Sequence, residues 1–236
     1  MIRRSARPLT RSHLDPFGRP AKSRHVTTEF GGPGGAANYF DDLYRESDDP
    51  WNLRKGWYEK RKRALTLALL PHQHYRNAFE PGCANGELTV ELASRCGALL
   101  SVDLHERAVQ LTRERVAGVA HVRVEQRTVP RDWPQEAGLF NLIVISEFAY
   151  YLDATELRAL AACISTSLTP DGTLLACHWR RPFMEARASA DTAHALFDAC
   201  CGLARLTRHV DDDIRIDVWS RDARSVAQRE GLVCSA

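Results

Sequence analysis

Residues 80–87 read Glu80-Pro81-Gly82-Cys83-Ala84-Asn85-Gly86-Glu87: they leave a short apolar run, pass through small residues and enter a helical pattern. In a doubly wound α/β sheet this is the strand-to-helix turn against which a ligand binds, outside the carboxyl ends of the strands. Gly82 permits a tight turn, Ala84 leaves little side chain between backbone and ligand, and Gly86 lets the helix start close to the crevice. Asp103 follows Gly82 by 21 residues and ends the next apolar run, Ala98-Leu99-Leu100-Ser101-Val102-Asp103. A carboxylate at that offset is placed to accept both hydroxyls of a ribose. The loop and the acid together call for a nucleoside. A dinucleotide site would read GxGxxG and offer a helix N-terminus to a pyrophosphate, whereas this chain has Ala84 and Glu87 at the two diagnostic positions. Glu80 and Glu87 would repel a diphosphate and suit a ligand with a cationic amino-acid end.

Working outward, the chain alternates short apolar runs with helical stretches from Tyr75 onward. Strands are expected over 77–80, 98–103, 122–126, 140–146 and 172–177, with helices over 87–96, 105–117 and 154–167, which is βαβ grammar. Leu142-Ile143-Val144-Ile145 has the continuous apolar character of a parallel strand buried on both faces. Ile214-Arg215-Ile216-Asp217-Val218-Trp219-Ser220 instead alternates strictly, and with residues 203–210 it predicts an antiparallel hairpin at the sheet edge. Upstream, two helices are expected, one over 39–46 and one from Trp57 to the stop at Pro71. The expected fold is therefore an α/β, Rossmann-like doubly wound sheet of about seven strands with a C-terminal antiparallel hairpin, preceded by an N-terminal helical lid. The expected organisation is a basic, flexible leader over 1–37, a lid over 38–74 and a core over 75–236, the last two forming one domain.

The composition narrows the function. The 236 residues carry a formal net charge of +2, with 44% hydrophobic and 26% charged residues, the balance of a globular domain. No apolar stretch is long enough to span a bilayer, and the N-terminus has no continuous apolar core, so neither a membrane nor an exported protein is expected. Seven cysteines without a CxxC pair give neither a disulfide framework nor a zinc motif, and reduced thiols in a cytoplasm fit them. No histidine spacing builds a metal site. Residues 1–28 hold seven Arg or Lys against Asp15 alone, which leaves the remainder at about −4. Without aromatic interleaving or a basic stripe on the folded part, nucleic acid is not the expected partner.

The loop and Ser101-Val102-Asp103-Leu104 resemble motif I and the ribose-binding strand of class I S-adenosylmethionine-dependent methyltransferases, with Ala84 in place of a usual glycine. Asp49-Pro50-Trp51, Gly56-Trp57-Tyr58-Glu59-Lys60-Arg61-Lys62, Arg127 to Pro134 and Leu175 to Arg180 further resemble the nodulation protein S family of N-methyltransferases, over about residues 38–222. The resemblance implies S-adenosyl-L-methionine as cofactor and S-adenosyl-L-homocysteine as product. It implies cofactor contacts at Gly82, Ala84, Gly86, Asp103 and Leu104, with Glu80 supporting the loop. Thr128 and Val129 stand where a polar residue usually meets the adenine, and Trp51 and Arg61 match a lid in which an aromatic covers the cofactor and a base meets its carboxylate.

Methyl transfer to an amine requires a neutral nitrogen aligned with the donor, and a carboxylate or imidazole at the mouth serves that need. Glu147 and Tyr150, after the fourth strand, and His178, after the fifth, are the candidate catalytic residues, with Glu147 also facing the cofactor. His178 reads equally as a base and as a structural histidine, and Trp179 equally as a sugar-stacking ring and as a core cap. Asp211-Asp212-Asp213 reads as an acidic hairpin turn before it reads as an attractor for a cationic acceptor such as an amino sugar. The expected acceptor is a small molecule, by resemblance an amine such as that of an amino sugar or deacetylated chitooligosaccharide. The alternatives are a hydroxyl or carboxyl acceptor and a non-catalytic nucleoside-binding protein. A nicotinamide-dependent dehydrogenase is disfavoured at Ala84 and Glu87.

Overall fold

The computed structural model describes residues 35–233. Seven strands form one sheet in the order β3-β2-β1-β4-β5-β7-β6. The strands are β1 (Ala78–Pro81), β2 (Leu99–Asp103), β3 (Val122–Gln126), β4 (Phe140–Ser146), β5 (Leu168–Trp179), β6 (Ala204–Val210) and β7 (Ile214–Ser220). β1 to β5 pair in parallel, while β7 runs antiparallel to both β5 and β6, so the expected hairpin closes the edge. The strand order reverses between β1 and β4, and the crevice of a doubly wound sheet opens at that point.

The helices are α1 (Gly35–Glu46), α2 (Trp57–Ala68), α3 (Glu87–Ala93), α4 (Glu106–Arg115), α5 (Ala154–Ser167), α6 (Ala190–Cys200) and the short α7 (Val226–Arg229). On one face of the sheet Phe79, Phe140, Ile143 and Trp219 pack beneath Leu157, Leu160 and Ile164 of α5 and Phe197 of α6. On the other face Leu142, Val144, Leu175 and Val218 pack with Leu92 of α3 and with Tyr58 and Leu65 of α2. β4 is buried on both sides, as its unbroken apolar run requires. α5 starts at a capping box in which the Asp153 side chain accepts from the backbone of Thr155 and Glu156 while Glu156 reaches back.

Two expectations on element bounds are corrected, and one helix is added. Residues 35–37, assigned to the leader, form the first turn of α1, and the rest of the leader lies outside the described residues. β5 begins at Leu168, because Leu168 pairs with Phe140 before the strand passes an irregularity and resumes at Thr173 opposite Leu142. α6 was not foreseen; Ser189 caps it by accepting the Thr192 N–H. Among the described residues no helix is long and apolar enough to cross a membrane.

Candidate active site

A cleft of about 1130 Å³, counted with its open mouth, lies at the switch point and is lined from β1, β2, β4, α1, α2 and their loops. Its floor is the loop after β1. Gly82 has φ +79°, and a Cβ there would stand 3.3 Å from the Phe148 ring, so backbone itself forms the floor. Ala84 holds φ +50°, a left-handed conformation that costs a side-chain-bearing residue about 1–2 kcal/mol.

Asp103 stands at the rim of this floor. Its Oδ2 accepts the Ala84 N–H at 3.0 Å and its Oδ1 accepts the His105 N–H at 2.9 Å. Each oxygen keeps lone pairs for further donors, and burial raises the carboxyl above its ordinary value. Leu104, Thr128 and Val129 line the adjoining wall. Thr128 is fixed by its N–H donating to Asp132 Oδ2 at 3.1 Å while Asp132 N–H returns to the Thr128 carbonyl at 2.8 Å. An acid with spare lone pairs beside a largely apolar wall is chemistry suited to ribose hydroxyls and a flat base.

Not every residue expected here reaches the cleft. Gly86 caps α3 at φ +78° and faces α4, where an added Cβ would meet the Thr112 Cα at 3.0 Å; it serves helix packing and does not line the cleft. Glu80 is buried under the loop, accepting the Ser101 hydroxyl at 2.8 Å, and burial pushes its carboxyl up to about 7. Glu87, expected to face the ligand's cationic end, is taken up by Arg115 at 2.7 Å, Arg54 at 3.6 Å and Arg63 at 3.7 Å. Arg61 does not line the cleft and pairs with Asp211 at 3.3 Å. The basic side chain that α2 sends to the cleft wall is Lys62.

α1 covers the cleft with aromatic rings. Phe40, Tyr44 and Trp51 line it, with Trp51 edge-on to both Phe40 and Tyr44 at 6.2 and 5.8 Å between ring centroids. Tyr44 stacks on His105 at 4.6 Å. His105 Nδ1 accepts the Arg107 N–H, which leaves Nε2 to donate to Asp41 at 2.9 Å. The Trp51 loop is fastened to the floor through Asp49, which accepts the Asn85 side-chain amide at 3.0 Å and the Leu53 N–H at 2.7 Å.

Opposite Asp103 lies a group of ionic residues. Glu147 follows β4 with φ +59°, and its Oε2 accepts the Tyr150 hydroxyl at 2.6 Å and the Trp179 N–H at 3.1 Å. Its Oε1 is 3.0 Å from Lys62 Nζ, which also meets Glu59 Oε2 at 2.8 Å. Burial alone would lower Lys62, yet Glu147 and Glu59 outweigh it and raise the ammonium above its ordinary value. Tyr150, raised mainly by burial and then by Glu147, is a phenol that donates. A residue at positive φ without being glycine is a form of strain found at functional sites.

His178 is fully buried and outside the cleft lining. Its Nε2 accepts the Ala149 N–H at 3.2 Å, so its Nδ1 donates to His194 Nε2 at 2.9 Å, and His194 Nδ1 donates to Asp217 at 2.7 Å. Burial holds His178 well below its ordinary value, hence neutral. Despite burial, the hydrogen bonds from His194, Arg208 and Arg215 hold Asp217 well below the carboxylate range. This buried row fixes the turn that carries Glu147 and Tyr150.

The fold and cleft are those of the S-adenosylmethionine-dependent methyltransferases. Residues 38–204 match the family model of nodulation protein S (NodS), and the chain belongs to that family. It is 36% identical over 131 residues to Nodulation protein S of Rhizobium tropici, spanning about half of that relative's length (54%) and 55% of this chain. It is similar to the crystal structure of N-methyltransferase NodS from Bradyrhizobium japonicum WM9 in complex with S-adenosyl-L-homocysteine, at 27% identity and a TM-score of 0.70 over 78% of this chain and 98% of that one. It is also 49% identical, with a TM-score of 0.63, to a Pseudomonas syringae structure whose methyltransferase assignment is itself provisional, over 70% of this chain and 99% of the other.

Proposed function

We propose that the protein is an S-adenosylmethionine-dependent N-methyltransferase acting on the amine of a small molecule, of the kind borne by an amino sugar or a deacetylated chitooligosaccharide. The observation that carries this reading is the pairing, across one cleft, of a ribose-accepting acid, Asp103, with the ionic group of Glu147, Lys62 and Glu59. The bound cofactor supplies an electrophilic methyl on a sulfonium, so the protein's work is alignment, exclusion of water and management of one proton. Asp103 and the Leu104, Thr128 and Val129 wall would hold the nucleoside. Trp51 and the rings of α1 would exclude water over it. Glu147, oriented by Tyr150 and by the Trp179 N–H, would face the acceptor nitrogen.

Amine over hydroxyl is favoured by His178. A hydroxyl acceptor calls for a base such as an imidazole at the mouth, whereas both His178 nitrogens are committed inside the protein. Reduced cysteines, with Cys83, Cys96, Cys163 and Cys177 free, support a cytoplasmic location.

The test is transfer of label from methyl-labelled S-adenosylmethionine to the glucosamine disaccharide, with its N-acetylated form as control. Label on the amine form alone is expected. Label on the acetylated form as well would turn the reading to O-methylation, and Glu147→Gln with unchanged turnover would remove Glu147 from the chemistry.

A further inference from the structure

The buried face of α2 is ionic. Glu59, Lys62, Arg63 and Thr66 are its buried residues, at the i, i+3, i+4, i+7 spacing that an apolar stripe normally fills. Arg63 is spent elsewhere, on Glu91 of α3 at 2.8 Å and on the carbonyl of Leu53, before α2, at 2.7 Å. Glu59 and Lys62 instead line the cleft. Lys62 sits between the two carboxylates and over the Tyr58 ring, 5.4 Å from its centroid. One cation thus serves two acids. The Glu59 side chain is only 4% exposed, and its Oε1 has no hydrogen-bond partner among the described residues. An unpaired buried carboxylate oxygen is costly unless a ligand completes it.

We propose that Glu59 Oε1 is the docking point and proton acceptor for the acceptor's ammonium group, with Lys62 holding Glu59 and Glu147 at fixed separation. The inference rests on the amine reading above and extends it to a second carboxylate. An amine of ordinary basicity arrives as R–NH3+. It supplies the missing positive charge of the cluster and a donor for Oε1. One proton then passes from nitrogen to Glu59, the nitrogen keeps the electron pair of the broken N–H bond, and the carboxylate becomes a neutral acid. The lone pair so freed is the nucleophile. The groups around Glu59 suit this step: burial raises its carboxyl, Lys62 and Arg63 of α2 oppose that, and Glu147 adds to it. Tyr150, from the turn after β4, also faces the cluster. Lys62, charged throughout, acts as a positioning residue.

The experiment compares wild type, Glu59→Gln and Glu59→Asp as full chains, with S-adenosylhomocysteine affinity as the control for an intact cofactor site. Binding of the glucosamine disaccharide to the S-adenosylhomocysteine-loaded protein and the pH dependence of its methylation are measured. We expect Glu59→Gln to weaken disaccharide binding about tenfold or more and to lower kcat on the order of 10²-fold. Its acid limb should move up towards the pKa of the amine itself, and Glu59→Asp should restore part of the rate. Equal binding, kcat and pH profile in wild type and Glu59→Gln would overturn the assignment while leaving the amine reading intact. A wild type that neither binds nor methylates the disaccharide would overturn the amine reading first and the subsite with it.

Discussion

Asp103 and Ala84 are joined by a hydrogen bond of 3.0 Å from the Ala84 N–H to the Asp103 carboxylate, so the acid that would take a ribose also holds the floor on which it would lie. Replacing Asp103 by Ala removes a charge-assisted contact and orphans the Ala84 and His105 N–H groups. S-adenosylhomocysteine affinity should fall roughly 10–100-fold, read by calorimetry. Unchanged affinity would remove Asp103 from the site.

The left-handed backbone at Ala84 gives a second prediction. Ala84→Gly relieves strain at φ +50° but loosens the unfolded chain, so stability should change by less than about 1 kcal/mol and cofactor affinity should persist. Gly82→Ala should be worse on both counts, losing about 1–2 kcal/mol at φ +79° and pressing on Phe148. Chemical denaturation with and without S-adenosylhomocysteine separates the two variants, and equal behaviour would refute the assignment of Gly82 to the floor.

Glu80 gives a pH signature. Its folded carboxyl holds a proton up to about 7 against an ordinary 4.5. Between those values the native state binds more protons than the unfolded state, so this group lowers stability as pH rises through that window. Glu80→Gln lacks the effect and can still accept from Ser101. Its stability relative to wild type should therefore climb by up to about 3 kcal/mol from pH 4 to pH 8. A difference that stays flat with pH would show that Glu80 is ionised without penalty.

His178 should behave as a positioning residue. His178→Ala leaves a cavity and an unpaired Ala149 N–H, which should cost about 2–4 kcal/mol and lower the thermal midpoint by several degrees. S-adenosylhomocysteine affinity of the folded variant should stay within a few fold. A variant of native stability that has lost only turnover would instead place His178 in the chemistry.

Legibility from sequence followed chemistry that is local. The β1 to α3 loop, Asp103 and the antiparallel hairpin were readable because strand period, small residues and a fixed offset are written in adjacent residues. α6 was not, since Ala190 to Cys200 follows a Pro- and Arg-containing stretch and its buried polar residue, His194, finds its partners on β5 and β7. Lys62 and Glu59 are hard to read because an unbroken charged run, Glu59-Lys60-Arg61-Lys62-Arg63, looks like a solvated face; the signal present is the core spacing of opposite charges. Arg61 is named by the resemblance, while its neighbour Lys62 is the one that lines the cleft, since one residue on a helix turns the side chain by about 100°. Trp51, Leu104, Thr128, Val129, Glu147 and Tyr150, named from sequence, do meet in one cleft.

The central claim is that this cleft takes a methyl-donor nucleoside, and calorimetric titration of the full chain with S-adenosylhomocysteine, using NAD as the control ligand, tests it most directly. The account predicts micromolar binding of S-adenosylhomocysteine and none of NAD. Absence of S-adenosylhomocysteine binding, or equal binding of the two, would contradict it.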